Sequence, residues 1–161
     1  MSNAYWEHYS HPADMGIRGV GPTKEQAFGQ AALALTAVIT DLQVIEPKGV
    51  VEISCEEQDD ELLFVCWLNA LIYEMATQGM LFSKFEINIA RRPPRVFLSE
   101  DRSGGETRGQ ANHRLRAKAW GEKIDVKKHS PAVEVKAATY ADLKVQQNKN
   151  GSWLVQCIVD V

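Results

Sequence analysis

The chain has 161 residues, of which 45% are hydrophobic and 24% charged, and its formal net charge is −3. These proportions belong to an ordinary globular chain that can bury one core of its own, and they exclude a disordered polymer, a disulfide scaffold and a protein whose overall field attracts nucleic acid. Cys55, Cys66 and Cys157 sit in apolar runs at spacings that match no zinc pattern, so they read as buried free thiols of a reducing compartment; no apolar run reaches the ~18 residues of a membrane span, and a cytoplasmic location is expected.

Ser2-Asn3-Ala4 looks like a vector remnant, so the domain is taken to run from Tyr5 to Val161. Tyr5 to Tyr9 alternate weakly, as a short strand does. His11-Pro12-Ala13-Asp14-Met15-Gly16 follows as a bend, because Pro fixes φ and Gly relaxes it. Ile17 to Val20 is a second short strand, broken by Gly21-Pro22. Thr23 then caps a helix, with Gln26 at the capping-box position. Phe28, Ala31, Ala32, Leu35, Val38 and Ile39 recur at helical spacing and should face the core. Gly29 weakens this helix, a cost that a close contact would explain.

Val50 to Glu56 places Val51, Ile53 and Cys55 on one side of a half-buried strand. The acidic run Gln58 to Glu61 favours a helix start, and Leu62 to Tyr73 is apolar around most of its circumference, as expected of a central helix ended by Gly79. Phe82 to Ala90 reads as a strand with Phe85, Ile87 and Ile89 on one face. Arg91-Arg92-Pro93-Pro94-Arg95 is a basic turn, read as a solvated hairpin tip rather than an RNA contact, Val96 to Leu98 is short, and Gly104-Gly105 lacks the surroundings of a phosphate loop. Arg114 to Trp120 alternates Leu115, Ala117 and Ala119 against Arg114, Arg116 and Lys118, a strand with a basic face. Val133 to Ala137 is another strand. Asn148 to Gly151 is a hairpin turn into the run Ser152 to Val161. Two main helices among mostly antiparallel, hairpin-connected strands make this an α+β fold of one domain.

The chemistry is sparse. Asp14 reads either as a turn carboxylate that satisfies local backbone or as a ligand. Asp160, next to the Val161 carboxylate, reads either as an exposed edge residue or, if the two ends of the chain meet, as part of a carboxylate cluster. Such a cluster needs a cation, and hard oxygen donors suit Ca²⁺, Mg²⁺ or Mn²⁺ rather than Zn²⁺. Lys136 is either an outward charge on a half-buried strand or a partner for a carboxylate or phosphate. A metal-dependent hydrolase or phosphotransferase using Asp14 and Asp160 would also need a base, and only His11 or His129 is on offer.

Four stretches, in this order and spanning nearly the whole chain, resemble the archease family. They are His11 to Gly16, Asp60 to Tyr73, Val135 to Tyr140 and Val159-Asp160-Val161. The resemblance implies an accessory protein, not an enzyme, that activates an RNA-splicing ligase of the RtcB type by promoting its guanylylation and turnover. It implies a divalent-ion site of Asp14, Asp160 and Val161, with Ca²⁺ foremost and Mg²⁺ or Mn²⁺ as alternates. It also implies a functional lysine at Lys136. Two positions depart from the family pattern: Pro12 stands where Thr or Ser is common, and Ala141 where many members carry His.

Overall fold

The computed structural model describes residues 3–12, 14–92, 96–98, 106–108 and 112–161. Strand β1 (Tyr5–Ser10) turns through the Pro12 bend into β2 (Met15–Gly21), and the two pair antiparallel. Helix α1 (Lys24–Ile39) starts where expected. The Thr23 hydroxyl accepts from Gln26 N–H at 3.1 Å, although Gln26 Oε1 returns to that hydroxyl rather than to the Thr23 backbone, so the capping box closes by only one main-chain bond. A 3₁₀ turn (Leu42–Val44) leads to β3 (Gly49–Glu57). Helix α2 (Asp60–Gln78) is capped by Asp59, whose carboxylate accepts from Leu62 N–H, and is stopped by Gly79 at φ +62°.

Strand β4 (Met80–Arg92) carries a bulge between Phe82 and Lys84. The extra residue lets both Phe82 and Phe85 pack on the core, which strict alternation forbids. Short strands β5 (Val96–Leu98) and β6 (Glu106–Arg108) pair with each other. Strand β7 (Asn112–Lys123) follows, then a one-turn helix α3 (Val126–His129), a two-residue strand β8 (Ala137–Ala138), β9 (Lys144–Gln147) and β10 (Trp153–Asp160). The run Val133 to Ala137 is therefore not the strand its sequence suggests. The edge of β10 is shared, β9 taking Trp153 to Gln156 and β8 taking Val159 and Asp160, and the antiparallel register of β8 carries 133–136 past Asp160, the last residue of β10. Pro93 to Arg95 and Gly104-Gly105 lie outside the described residues.

One sheet runs β1-β2-β10 with β8 and β9 both on the far edge of β10, and a second runs β3-β7-β4. The helices lie between them: α1 packs on β2, β10 and β1 on one side and β4 on the other, while α2 packs on β3, β7 and β8. Trp67 Nε1–H donates to the Phe28 carbonyl at 3.1 Å and locks the two helices together. The tight approach in this sandwich is not at Gly29, where an added Cβ would meet only Ile87 at 3.6 Å. It is at Gly19, where a Cβ would strike the backbone of Ala27 and Ala31 in α1. The cysteines are unpaired, with Cys55 and Cys157 buried; burial pushes the Cys157 thiol up to about 12.

Candidate metal and docking site

The two ends of the chain meet. The last ladder pair between β2 and β10 is Met15 with Val159. Asp14 and Asp160 lie one residue beyond it on adjacent chains, both half-buried. Val155, Cys157 and Val159 are fully buried towards α1, so Asp160 belongs to the outward set of β10 with Gln156 and Ile158. On its other side, Asp160 pairs with Ala137, and Lys136 N–H donates to the Asp160 carbonyl at 2.7 Å. Asp14, Asp160 and Lys136 thus occupy three neighbouring chains at one end of the sheet. Val161 follows directly, 40% exposed, and Tyr140 nearby in sequence to Lys136 is 66% exposed.

Segment 136–142 has little ladder of its own and is tied down by side chains. Ala138 stands directly opposite Val159, and Thr139 N–H makes the bond to Ile158 O at 2.9 Å, so the N–H and C=O of Ala138 point away from β10. Asn69 of α2 meets both: its Oδ1 accepts from Ala138 N–H at 2.9 Å and its amide donates to Ala138 O at 3.3 Å. One side chain stands in for a missing strand. The Thr139 hydroxyl also donates to Ile158 O at 2.8 Å and accepts from Ala141 N–H at 3.2 Å.

A polar network on the outer face joins this segment to the Asp14 hairpin. Tyr9 donates to Asp142 Oδ2 at 2.9 Å, and Gln156 donates to the same carboxylate at 3.0 Å. Arg18 donates to Gln156 Oε1 at 2.8 Å and to Glu7 at 2.6 Å, and its guanidinium lies 4.5 Å from the Tyr9 ring centroid. The Tyr9 ring fills the space over Gly16, where a Cβ would collide with it. Burial, and then the Asp142 bond, raise the Tyr9 pKa, so the phenol stays a donor across the physiological range. Asp142 holds φ +53°, a conformation Asp tolerates better than most residues.

Chemically, Asp14 and Asp160 each present carboxylate oxygens, the donor type that suits a hard divalent ion. Among the described residues no group of three or more His, Cys, Asp or Glu side chains is placed to hold a metal. Neither Asp14 nor Asp160 forms an ion pair among the described residues. His129 is no base for chemistry here. It is 2% exposed, its Nδ1 accepts from Asp125 N–H at 2.8 Å, and its Nε2–H therefore faces Glu122 at 3.0 Å. His11 is half-buried and engaged in a contact of its own.

Sequence patterning singled out Asp14, Asp160, Val161 and Lys136, but not Asn69, Tyr9, Arg18, Asp142 or Gln156. Two of these left a signal: Asn69 interrupts the apolar run Leu62 to Ile72, and Gln156 interrupts the last strand. A polar residue inside such a run has a buried partner to find.

Two helices held between antiparallel sheets, with a carboxylate pair and a lysine at one end of a sheet, define a small α+β protein. Residues 6–161 match the archease protein family (MTH1598/TM1083). The chain is 40% identical to protein archease of Pyrococcus furiosus over 156 residues, covering 97% of this chain and 98% of that one. It is 35% identical to protein archease of Thermococcus kodakarensis with the same coverage. It belongs to the archease family. The solution structure of Methanobacterium thermoautotrophicum protein 1598 shares its fold with a TM-score of 0.70 at 23% identity, covering 97% of this chain and 98% of the other. A Thermotoga maritima crystal structure, described as an archease and possible chaperone, aligns with a TM-score of 0.51 at 16% identity over 96% of both chains. Among the described residues no helix is long and apolar enough to cross a membrane.

Proposed function

We propose that the protein is an accessory activator of an RtcB-type RNA ligase, promoting ligase guanylylation and repeated turnover, and is not itself a catalyst. The observation that carries this reading is the family match across residues 6–161. In this reading Asp14, Asp160 and the Val161 carboxylate hold a divalent ion, Ca²⁺ foremost with Mg²⁺ or Mn²⁺ as alternates. The ion would neutralise carboxylates that otherwise repel one another and would offer positive charge at the docking edge.

The chain's own groups do the rest. Exposed Tyr140 and Val161 supply apolar contact, and Lys136 beside them supplies a flexible ammonium suited to a phosphate or carboxylate of the ligase–nucleotide complex. Asn69 and the Tyr9–Asp142 bond hold that surface in one shape, so little ordering entropy is spent on docking. Activation requires only that this surface bind the guanylylation-competent state of the ligase better than the resting state.

The test is reconstitution. Alone, the protein is expected neither to join RNA nor to hydrolyse GTP. Added to a cognate ligase with GTP and a divalent ion, it is expected to raise the number of turnovers per ligase. GTP hydrolysis by the isolated protein that disappears in Asp14→Ala would overturn this and favour the metal-dependent hydrolase.

A further inference from the structure

Two of the three cysteines are brought together by the step from β3 to α2. Cys55 takes an inward position on β3, opposite Leu115 of β7, and is 5% exposed. The strand ends two residues later at Glu57, and α2 starts at Asp60. Cys66 stands six residues into that helix. Two strand residues back from the turn cover about 7 Å, and six helical residues climb about 9 Å, so the two cysteines lie at nearly the same height. Because α2 packs on β3, that common height sets them side by side. Both side chains belong to or pack against the same core. Their sulfurs meet across the strand–helix interface, where the Cys55 thiol donates to Cys66.

The two thiols differ in their surroundings. Cys55 is buried and Cys66 only half-buried. The bond from Cys55 lowers the Cys66 pKa, and burial and the Glu57 carboxylate oppose it without reversing it. The same bond, and then burial, raise the Cys55 thiol. The more accessible thiol is thus the more acidic one, and a second thiol is held against it. Attacking and resolving cysteines are disposed in this way. Cys157 lies in the other sheet, fully buried, and serves as an internal reference.

We infer that Cys55 and Cys66 form a reversible dithiol–disulfide couple that responds to hydroperoxides. The Cys66 thiolate attacks a peroxide oxygen; an S–O bond forms, the O–O bond breaks, and the leaving oxygen takes a proton. Cys66 is oxidised to the sulfenic acid and the peroxide is reduced. The Cys55 sulfur then attacks the Cys66 sulfur; an S–S bond forms, the S–O bond breaks, and the hydroxide leaves as water with the Cys55 proton. Two thiols and one hydrogen peroxide give one disulfide and two waters. The link ties α2 to the edge strand β3 one turn before Asn69, the residue that holds Ala138. It also keeps Cys66 from irreversible oxidation. The couple stands on these two thiols and is independent of the ligase reading.

The experiment uses the full native chain, reduced, freed of reductant and exposed to stoichiometric hydrogen peroxide. The chain is then denatured in N-ethylmaleimide and cut with a glutamyl endopeptidase, which cleaves between the pair at Glu56, Glu57 and Glu61. Mass spectrometry is expected to find the Cys55 and Cys66 peptides joined, with two hydrogens fewer than the free thiols, while Cys157 carries maleimide. Dithiothreitol is expected to restore both thiols. Without oxidant, maleimide is expected to label native Cys66 about tenfold faster than Cys55 or Cys157. In Cys55→Ala, or in Cys55→Val should alanine fail to fold, no thiol resolves the sulfenic acid. Cys66 is then expected to proceed to the sulfinic acid, gaining two oxygens beyond the reach of dithiothreitol. Equal inertness of all three cysteines would mean that the pair only fills space, and would overturn the couple. So would sulfinic acid forming on Cys66 as fast in the wild-type chain as in the variant, or links to Cys157 as abundant as that between Cys55 and Cys66.

Discussion

Replacing Asn69 with alanine tests whether one side chain holds the Lys136 segment in place. The amide makes two bonds, accepting from Ala138 N–H at 2.9 Å and donating to Ala138 O at 3.3 Å. Both backbone groups point away from β10, and α2 is the element on that side. Alanine removes both partners and leaves an N–H and a C=O half-shielded from water. Each net bond contributes about 1 kcal/mol, so the loss is about 2 kcal/mol. For a chain of this size that corresponds to a fall in Tm of about 4–8 °C. Asn69→Asp keeps an acceptor for Ala138 N–H but sets a second acceptor against its carbonyl, and is expected to be no better than alanine. Because β8 has only two residues, the damage should be local. Hydrogen exchange of segment 136–141 is expected to rise, and ligase activation to fall, at temperatures well below melting. Thermal melting and exchange of the two variants check this. A Tm within about 1 °C of wild type, with unchanged exchange at Ala138, would refute the clamp.

Lys136→Ala is expected to fold normally, losing well under ~1 kcal/mol because its side chain is exposed, yet to fail in activating the ligase; a large drop in Tm would make the lysine structural. A carboxy-terminal extension converts the Val161 carboxylate to a neutral amide, and it and Asp14→Asn are each expected to weaken Ca²⁺ or Mn²⁺ binding in calorimetric titrations while leaving the melting curve almost unchanged. Equal affinity of extended and native chains would exclude Val161 as a ligand. Glu122 accepts from Glu46 N–H, Lys128 and His129, which hold its carboxyl at about 2, below the ordinary 4.5. A lowered folded-state value stabilises the fold above the unfolded pKa, and that contribution drains away between pH 4.5 and about 2. Glu122→Gln is therefore expected to be less stable at neutral pH and to lose less than wild type on acidification through that window, as followed by urea melts at stepped pH.

The alternation of Val155, Cys157 and Val159, the helical spacing of Phe28, Ala31, Ala32 and Leu35, and the caps Thr23, Asp59 and Gly79 are local facts. Side-chain period and backbone preference act over a few residues, so the α+β class, both long helices and the strand faces were legible from sequence alone. The bend at Asp14 and the acidic end at Asp160 were legible too, though not their meeting. That depends on the 145 positions between them folding so that β2 and β10 share a register, which puts residue 14 beside residue 160. Tertiary competition also overrode local pattern. Val133 to Ala137 alternates like a strand but pairs only at Ala137, because the antiparallel register of β8 carries 133–136 past Asp160, the last residue of β10. Phe82 and Phe85 reach the same core because a bulge shifts the register between them. Gly29, conspicuous in a helix, has room to spare, while the unremarked Gly19 is where α1 presses onto the sheet. Asn69, Tyr9, Asp142 and Gln156 are far apart in the chain and acquire partners only when the sheets close on the helices. A hydrogen bond between residues 9 and 142 leaves no mark on the neighbours of either, so its existence is a property of the packed structure.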